Sequence, residues 1–169
     1  MIISLIGYMG SGKSHISKVL NQELQFKLID LDREISLKNN SPINEIFQKK
    51  GEIFFRKQER ELLELVLKTP ENCILSLGGG TPAYYNNMEL INAHSESVFL
   101  RTSVKTLTER LLRQKGKRPL IASQQDEDLP EFIAKHLFER NQFYAQAKFT
   151  VDTDGKEPIQ IAREIAALL

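Results

Sequence analysis

The segment Ile2-Ile3-Ser4-Leu5-Ile6-Gly7-Tyr8-Met9-Gly10-Ser11-Gly12-Lys13-Ser14 runs from five residues that are nearly all apolar into a glycine-rich turn. Its last eight residues match G-x-x-x-x-G-K-[ST], the pattern of a phosphate-binding P-loop. The apolar run reads as a buried parallel strand. The residues that follow, Ser14 to Leu24, space Ile16, Val19, Leu20 and Leu24 as a helix does. Strand, loop and helix together explain each residue type. Glycines permit positive φ and close backbone approach, and the helix start presents free N–H groups and a positive dipole end to an anion. Lys13 is expected to reach the β- and γ-phosphates of a nucleotide, and the Ser14 hydroxyl to ligate Mg²⁺.

Outward from the loop, short apolar runs recur at Ile2 to Ile6, Lys27 to Ile29, Cys73 to Leu77, Val98 to Leu100 and Phe149 to Val151, with helical patterns between them. That alternation predicts an α/β fold with a five-stranded parallel sheet flanked by helices. Ser41-Pro42 reads as a cap followed by a first-turn proline, with Glu45 at the capping-box position. Gly51 interrupts the pattern, and a longer helix is expected from about Ile53 to Leu67. Further helices are expected from about Ser103 to Leu112, from Asp128 and Pro130 to about Ala147, and from Pro158 onward. Residues 1–169 fit a single domain. From Arg113 to Asp128 the chain is polar and charged with almost no apolar period, and it starts with four cations in six positions, so it is expected to form a mobile lid over phosphates. A solvated surface loop is the plainer alternative.

The 23 basic and 22 acidic residues nearly cancel, so overall charge argues for neither a nucleic-acid nor a membrane partner. Cys73 is the one cysteine and lies in an apolar run, which fits a buried side chain and a reducing, cytoplasmic setting. No targeting segment is read at the N-terminus, and a monomer is expected because no surplus apolar stripe stands out.

The nature of the acceptor has to come from other residues. Strand two ends in Asp30-Leu31-Asp32, and ligands of open α/β sheets gather beyond the carboxyl ends of the strands. If this segment stays extended, both carboxylates face the phosphates, one for a metal-bound water and one for a substrate hydroxyl. Alternatively Asp32 caps a helix that begins at Arg33. Gly78-Gly79-Gly80 leaves bare backbone against which a small ligand can lie, unless it is only a flexible turn. Arg56 and Glu59 stand three apart on a helix, close enough to pair and to fix the guanidinium for a carboxylate. Arg140 and Tyr144 share another helical face.

Taken in order, these features resemble the shikimate kinase family. The match includes the P-loop, Asp30-Leu31-Asp32, Gly51-Glu52-Ile53-Phe54-Phe55-Arg56-Lys57-Gln58-Glu59, Gly78 to Gly80, Lys117-Arg118-Pro119-Leu120, and Arg140 with Tyr144. The resemblance implies a P-loop kinase fold like that of the nucleoside monophosphate kinases, and transfer of the ATP γ-phosphoryl group to the 3-hydroxyl of shikimate. It implies Lys13, Asp32 and Arg118 as catalytic residues. ATP would be held by Gly10, Ser11, Gly12, Lys13, Ser14, His15, Arg110 and Arg118. Shikimate would be held by Asp32, Arg56, Gly78, Gly79, Gly80 and Arg140, with Phe47 and Phe55 as apolar walls. Mg²⁺ would be served by Ser14 and, through water, by Asp30. Arg110 and the Asp152 to Pro158 stretch are candidates for the adenine, with Arg113 competing. Tyr8 and Met9 occupy variable slots of the loop. Another small-acceptor kinase, or a nucleotide-dependent switch, would share the P-loop; the guanine-recognition sequence Asn-Lys-x-Asp is absent.

Overall fold

The structure, a computed structural model, describes the backbone of residues 1–169 and every side chain but that of Pro119, so the lid-element proline lies outside the described side chains. Strands β1 (Ile2–Ile6), β2 (Lys27–Asp30), β3 (Cys73–Ser76), β4 (Glu96–Arg101) and β5 (Phe149–Asp152) form one sheet in the order β2-β3-β1-β4-β5. Every pairing is parallel. All five residues of β1 are buried because the strand is central and covered on both faces. Ile2 and Ile6 pack into one apolar layer with Leu31, Ile35, Leu63 and Tyr144. Ile3 and Leu5 pack into the other with Ile16, Leu20, Ile161 and Ile165. Ser4 is polar at a buried position, and its hydroxyl is matched by a hydrogen bond to Ser95 Oγ at 2.8 Å.

Helices α1 (Lys13–Leu24), α2 (Leu31–Asn39), α3 (Ile43–Leu67), α4 (Asn87–His94), α5 (Val104–Arg113), α6 (Pro119–Ala122), α7 (Leu129–Tyr144) and α8 (Pro158–Leu168) cover the sheet. Because the chain passes from β3 on one side of β1 to β4 on the other, the P-loop after β1 opens at the switch point of strand order, where α/β sheets form their ligand crevice. Gly51 breaks α3 with φ +83° and ψ 169°, as its place in the sequence foretold. Cys73 is fully buried. Among the described residues no helix is long and apolar enough to cross a membrane.

Several local expectations are corrected. The chain does not stay extended through Asp32, and α2 does not wait for Arg33. Helix α2 begins at Leu31 because the Asp30 carboxylate accepts the Arg33 N–H at 3.1 Å, making Asp30 the cap. Likewise Pro42, not Ser41, is the residue before α3, while the Ser41 hydroxyl donates to Glu45 at 3.3 Å. Helix α4 was not legible in sequence: only Met88 and Ile91 among its apolar residues are fully buried, and its first residue, Asn87, is buried and polar. Helix α7 ends at Tyr144, three residues short of the expected Ala147. The segment from Arg113 to Asp128 is not structureless. It contains a single 3₁₀ turn (Lys115–Lys117) and α6, held by a fully buried Ile121 and by an ion pair between Lys115 and Asp126 at 2.7 Å. One buried isoleucine in sixteen residues leaves no periodic signal, yet it suffices to seat a short turn of helix on the core.

Candidate active site

A cleft of about 640 Å³ lies beyond the carboxyl ends of β1, β2 and β3. Its floor is the P-loop. Gly10 and Gly12 take φ of +83° and +95°, values at which a side chain would strain the backbone, and Gly12 is the left-handed residue from which α1 starts. Ser14 and His15 stand exposed at that helix start and line the cleft, although the His15 N–H is itself taken by the Gly12 carbonyl at 3.0 Å. The Lys13 ammonium is folded back on the loop itself, donating to the carbonyls of Gly7 at 2.6 Å and Tyr8 at 3.0 Å. Burial pushes its pKa down to about 8; Asp32 pulls it back up and Arg118 depresses it further. Arg110 donates to Gly10 O at 3.0 Å and lines the cleft beside Lys156 and Pro158. Arg113, its rival for that place, is exposed and is not among the residues lining the cleft.

Asp30 and Asp32 both reach the cleft, although from a strand end and a first helical turn. The Asp32 carboxyl is pushed up to about 6, chiefly by burial, then by the negative charges of Glu59 and Asp30, against the pull of Lys13 and Arg56. Among the described residues no group of three or more His, Cys, Asp or Glu could hold a metal on its own. The Ser14 hydroxyl and Asp30 carboxylate are hard oxygen donors, and they fit Mg²⁺, an ion that completes its octahedron with water and phosphate oxygens.

Part of the cleft lining is cationic. Arg56, on α3, keeps only 11% of its side chain exposed, so it is no solvated surface arginine. Its Nη1 donates to Glu59 at 2.8 Å, and the other Glu59 oxygen accepts the Thr81 hydroxyl at 2.6 Å. Arg140, on α7, lines the same cleft, with its guanidinium 5.8 Å from the Tyr8 ring centre. Phe47 and Phe55 stack 4.4 Å apart in the wall. Arg118 lines the same cleft from the segment before α6 and donates to Gln114 at 3.2 Å.

The triple glycine has a structural purpose that its sequence did not reveal. A Cβ on Gly78 would stand 2.9 Å from Asp32 Oδ1, one on Gly79 3.2 Å from Arg140 Nη1, and one on Gly80 2.7 Å from Arg56 Nη2. Each glycine therefore makes room for one charged group of the cleft. The turn is anchored by the buried Tyr144, which donates to Gly79 O at 2.6 Å. Gly80→Ala is thus expected to displace the Arg56 guanidinium. It should weaken binding of an acceptor carboxylate about tenfold or more, the worth of one charge-assisted hydrogen bond. Calorimetric titration would show it, and unchanged binding would free Arg56 from that contact.

Tyr8 is the residue the sequence undervalued. It is buried, its hydroxyl pairs with His136 Nδ1 at 2.9 Å, and its ring underlies Arg140. Nothing in the loop pattern marks that position, since its role depends on α7 lying over it.

Comparison with known proteins agrees with this geometry. Residues 9–169 match the family model described as Shikimate kinase. A relative named shikimate kinase from Flavobacterium psychrophilum is 42% identical over 168 residues, covering 99% of this chain and 98% of the relative. The crystal structure of shikimate kinase from Bacteroides thetaiotaomicron superposes with a TM-score of 0.92 at 34% identity, covering 99% of this chain and 97% of that one. Shikimate kinase from Acinetobacter baumannii in complex with shikimate superposes with a TM-score of 0.89 at 29% identity, over 99% and 91% of the two chains.

Proposed function

The chain belongs to the shikimate kinase family, and we propose that this cleft carries the family's reaction through the residues described above, passing the γ-phosphoryl group of ATP to the 3-hydroxyl of shikimate. One observation carries the assignment of roles. A single cleft joins a phosphate-binding floor at Lys13 to a pair of arginines, Arg56 and Arg140, with the Asp32 carboxylate among its lining residues.

Arg56 and Arg140 clamp the shikimate carboxylate, and the bare backbone of Gly78 to Gly80 with Phe47 and Phe55 shapes the ring's seat. Asp32 accepts a hydrogen bond from the reacting hydroxyl and takes its proton as the oxygen bonds to the γ-phosphorus and ADP leaves. Lys13 leaves the carbonyls of Gly7 and Tyr8 for the phosphates. With Arg118 it neutralises the charge spread over the transferring group, while Gly10, Ser11, Gly12, Ser14 and His15 hold the polyphosphate. Bound Mg²⁺, served by Ser14 and Asp30, supplies charge neutralisation at the phosphates. Arg110 is the arginine assigned to the adenine side, with Lys156 and Pro158 opposite. Residues 1–169 act as one domain, with 113–128 as its mobile lid. The near-zero net charge supports the absence of a nucleic-acid partner, the single buried Cys73 supports a cytoplasmic setting, and the lack of a surplus apolar stripe in the sequence supports a monomer.

ADP release measured with and without shikimate tests the reading, and release independent of shikimate would overturn it. Arg56→Ala is expected to raise the KM for shikimate about ten- to a hundredfold while barely changing that for ATP, because a charge-assisted bond is worth about 1.5–3 kcal/mol. Equal losses for both substrates would place Arg56 elsewhere.

A further inference from the structure

Arg56 stands between two carboxylates, and neither forms a two-pronged pair with it. Glu59 reaches only Nη1, because its second oxygen accepts the Thr81 hydroxyl at 2.6 Å. Glu52, one turn earlier on α3, has Oε1 3.6 Å from Arg56 Nε, beyond hydrogen-bond reach, and that same oxygen accepts the Tyr84 hydroxyl at 2.6 Å. Among the described residues Arg56 Nε is one of three buried side-chain polar atoms left without a partner. A guanidinium four residues from a glutamate on one helix would ordinarily close onto it, since such pairs sit face to face and a forked contact is the strongest available. Here the guanidinium also sits over the Tyr84 ring, its carbon 3.9 Å from the ring centre. Phe55 flanks it at 5.1 Å.

We propose that Tyr84 is a positioning residue for the acceptor carboxylate: its ring fixes the plane of the Arg56 guanidinium, and its hydroxyl holds Glu52 off Arg56 so that the fork stays open for the substrate. Tyr84 itself follows the Thr81–Ala83 turn, so the turn behind the triple glycine supplies both restraining hydroxyls, Thr81 on Glu59 and Tyr84 on Glu52. The orientation of the clamp is thereby set from a different chain segment than the helix that carries it. Glu52 keeps 53% of its side chain exposed and has room to swing toward Arg56 once released.

This inference rests on the reading of Arg56 as the carboxylate clamp, and the test separates the two. Shikimate and its methyl ester are titrated calorimetrically into the wild type, Tyr84→Phe, and Tyr84→Phe combined with Glu52→Gln, and KM and kcat are measured alongside. Tyr84→Phe keeps the ring and removes only the hydroxyl, so folding is preserved. It is expected to raise the Kd and KM for shikimate roughly three- to tenfold, about the worth of one hydrogen bond, with kcat and the KM for ATP unchanged. Adding Glu52→Gln is expected to restore shikimate affinity, because the neutral amide no longer competes for Arg56. Wild-type affinity in Tyr84→Phe, or no recovery in the double variant, overturns the proposal. If the wild type binds the ester as tightly as shikimate, the clamp reading itself fails, whatever Tyr84 does.

Discussion

Asp32→Asn is expected to lower kcat by about a hundredfold or more, the usual worth of a positioned general base, and at the same time to make the protein more stable. The two effects have one cause. Burial, with the charges of Glu59 and Asp30, raises the carboxyl from 3.8 to about 6, so the folded protein resists the ionised form that the proposed base requires. In the free enzyme kcat/KM should therefore rise as pH climbs through about 6, and that acid limb should vanish in the variant. The sign for stability is opposite. Below the unfolded value the group is protonated in both states and carries no penalty. As pH rises toward the folded value the unfolded chain releases its proton more readily, and the loss is complete above it. At about 1.4 kcal/mol per pKa unit, ionisation of Asp32 costs the folded state about 3 kcal/mol at neutral pH. Denaturant unfolding should show the variant more stable by an amount that is larger at pH 8 than at pH 5. A difference independent of pH would mean that the raised value is not the origin.

The second large effect belongs to Lys13. Lys13→Met should lose roughly a hundred- to a thousandfold in kcat, as when one donor to a developing charge is removed. Burial, which disfavours its charge, brings the ammonium pKa down to about 8. Accordingly kcat/KM for ATP should fall as pH rises through that value. With ATP saturating, the bound phosphates hold the proton on and kcat should stay level across the same range. Lys13→Arg, which does not titrate there, should abolish the alkaline limb whatever its own rate. Because Asp32 is the charge that most raises the Lys13 value, Asp32→Asn should also move that limb to lower pH. A limb that stays in place in both variants would detach it from Lys13.

Much of the site was legible because phosphate binding is written locally. The loop from Gly7 to Ser14 carries its own backbone requirements, and the alternation of apolar runs with helical patterns announced all five strands. Arg56 and Glu59 were legible as a pair because three residues on a helix bring side chains together whatever lies around them. Where the reading failed, the deciding contact came from far along the chain. The short helix α6 depends on Ile121 finding the core, and Tyr8 matters only because α7 brings His136 and Arg140 above it. The start of α2 turned on one side-chain bond, in which the Asp30 carboxylate accepts the Arg33 N–H.

The sequence by itself determined the donor half of this protein: a strand, a glycine turn and a helix start are contiguous, so their geometry follows from local backbone preferences. Only the tertiary structure decided the acceptor half. Asp32, Arg56, Arg140 and the three glycines come from four separate segments, and which glycine admits which charge is a matter of ångströms between packed elements. Likewise the proton affinities of Asp32 and Lys13 exist only once folding has removed water and set their neighbours beside them.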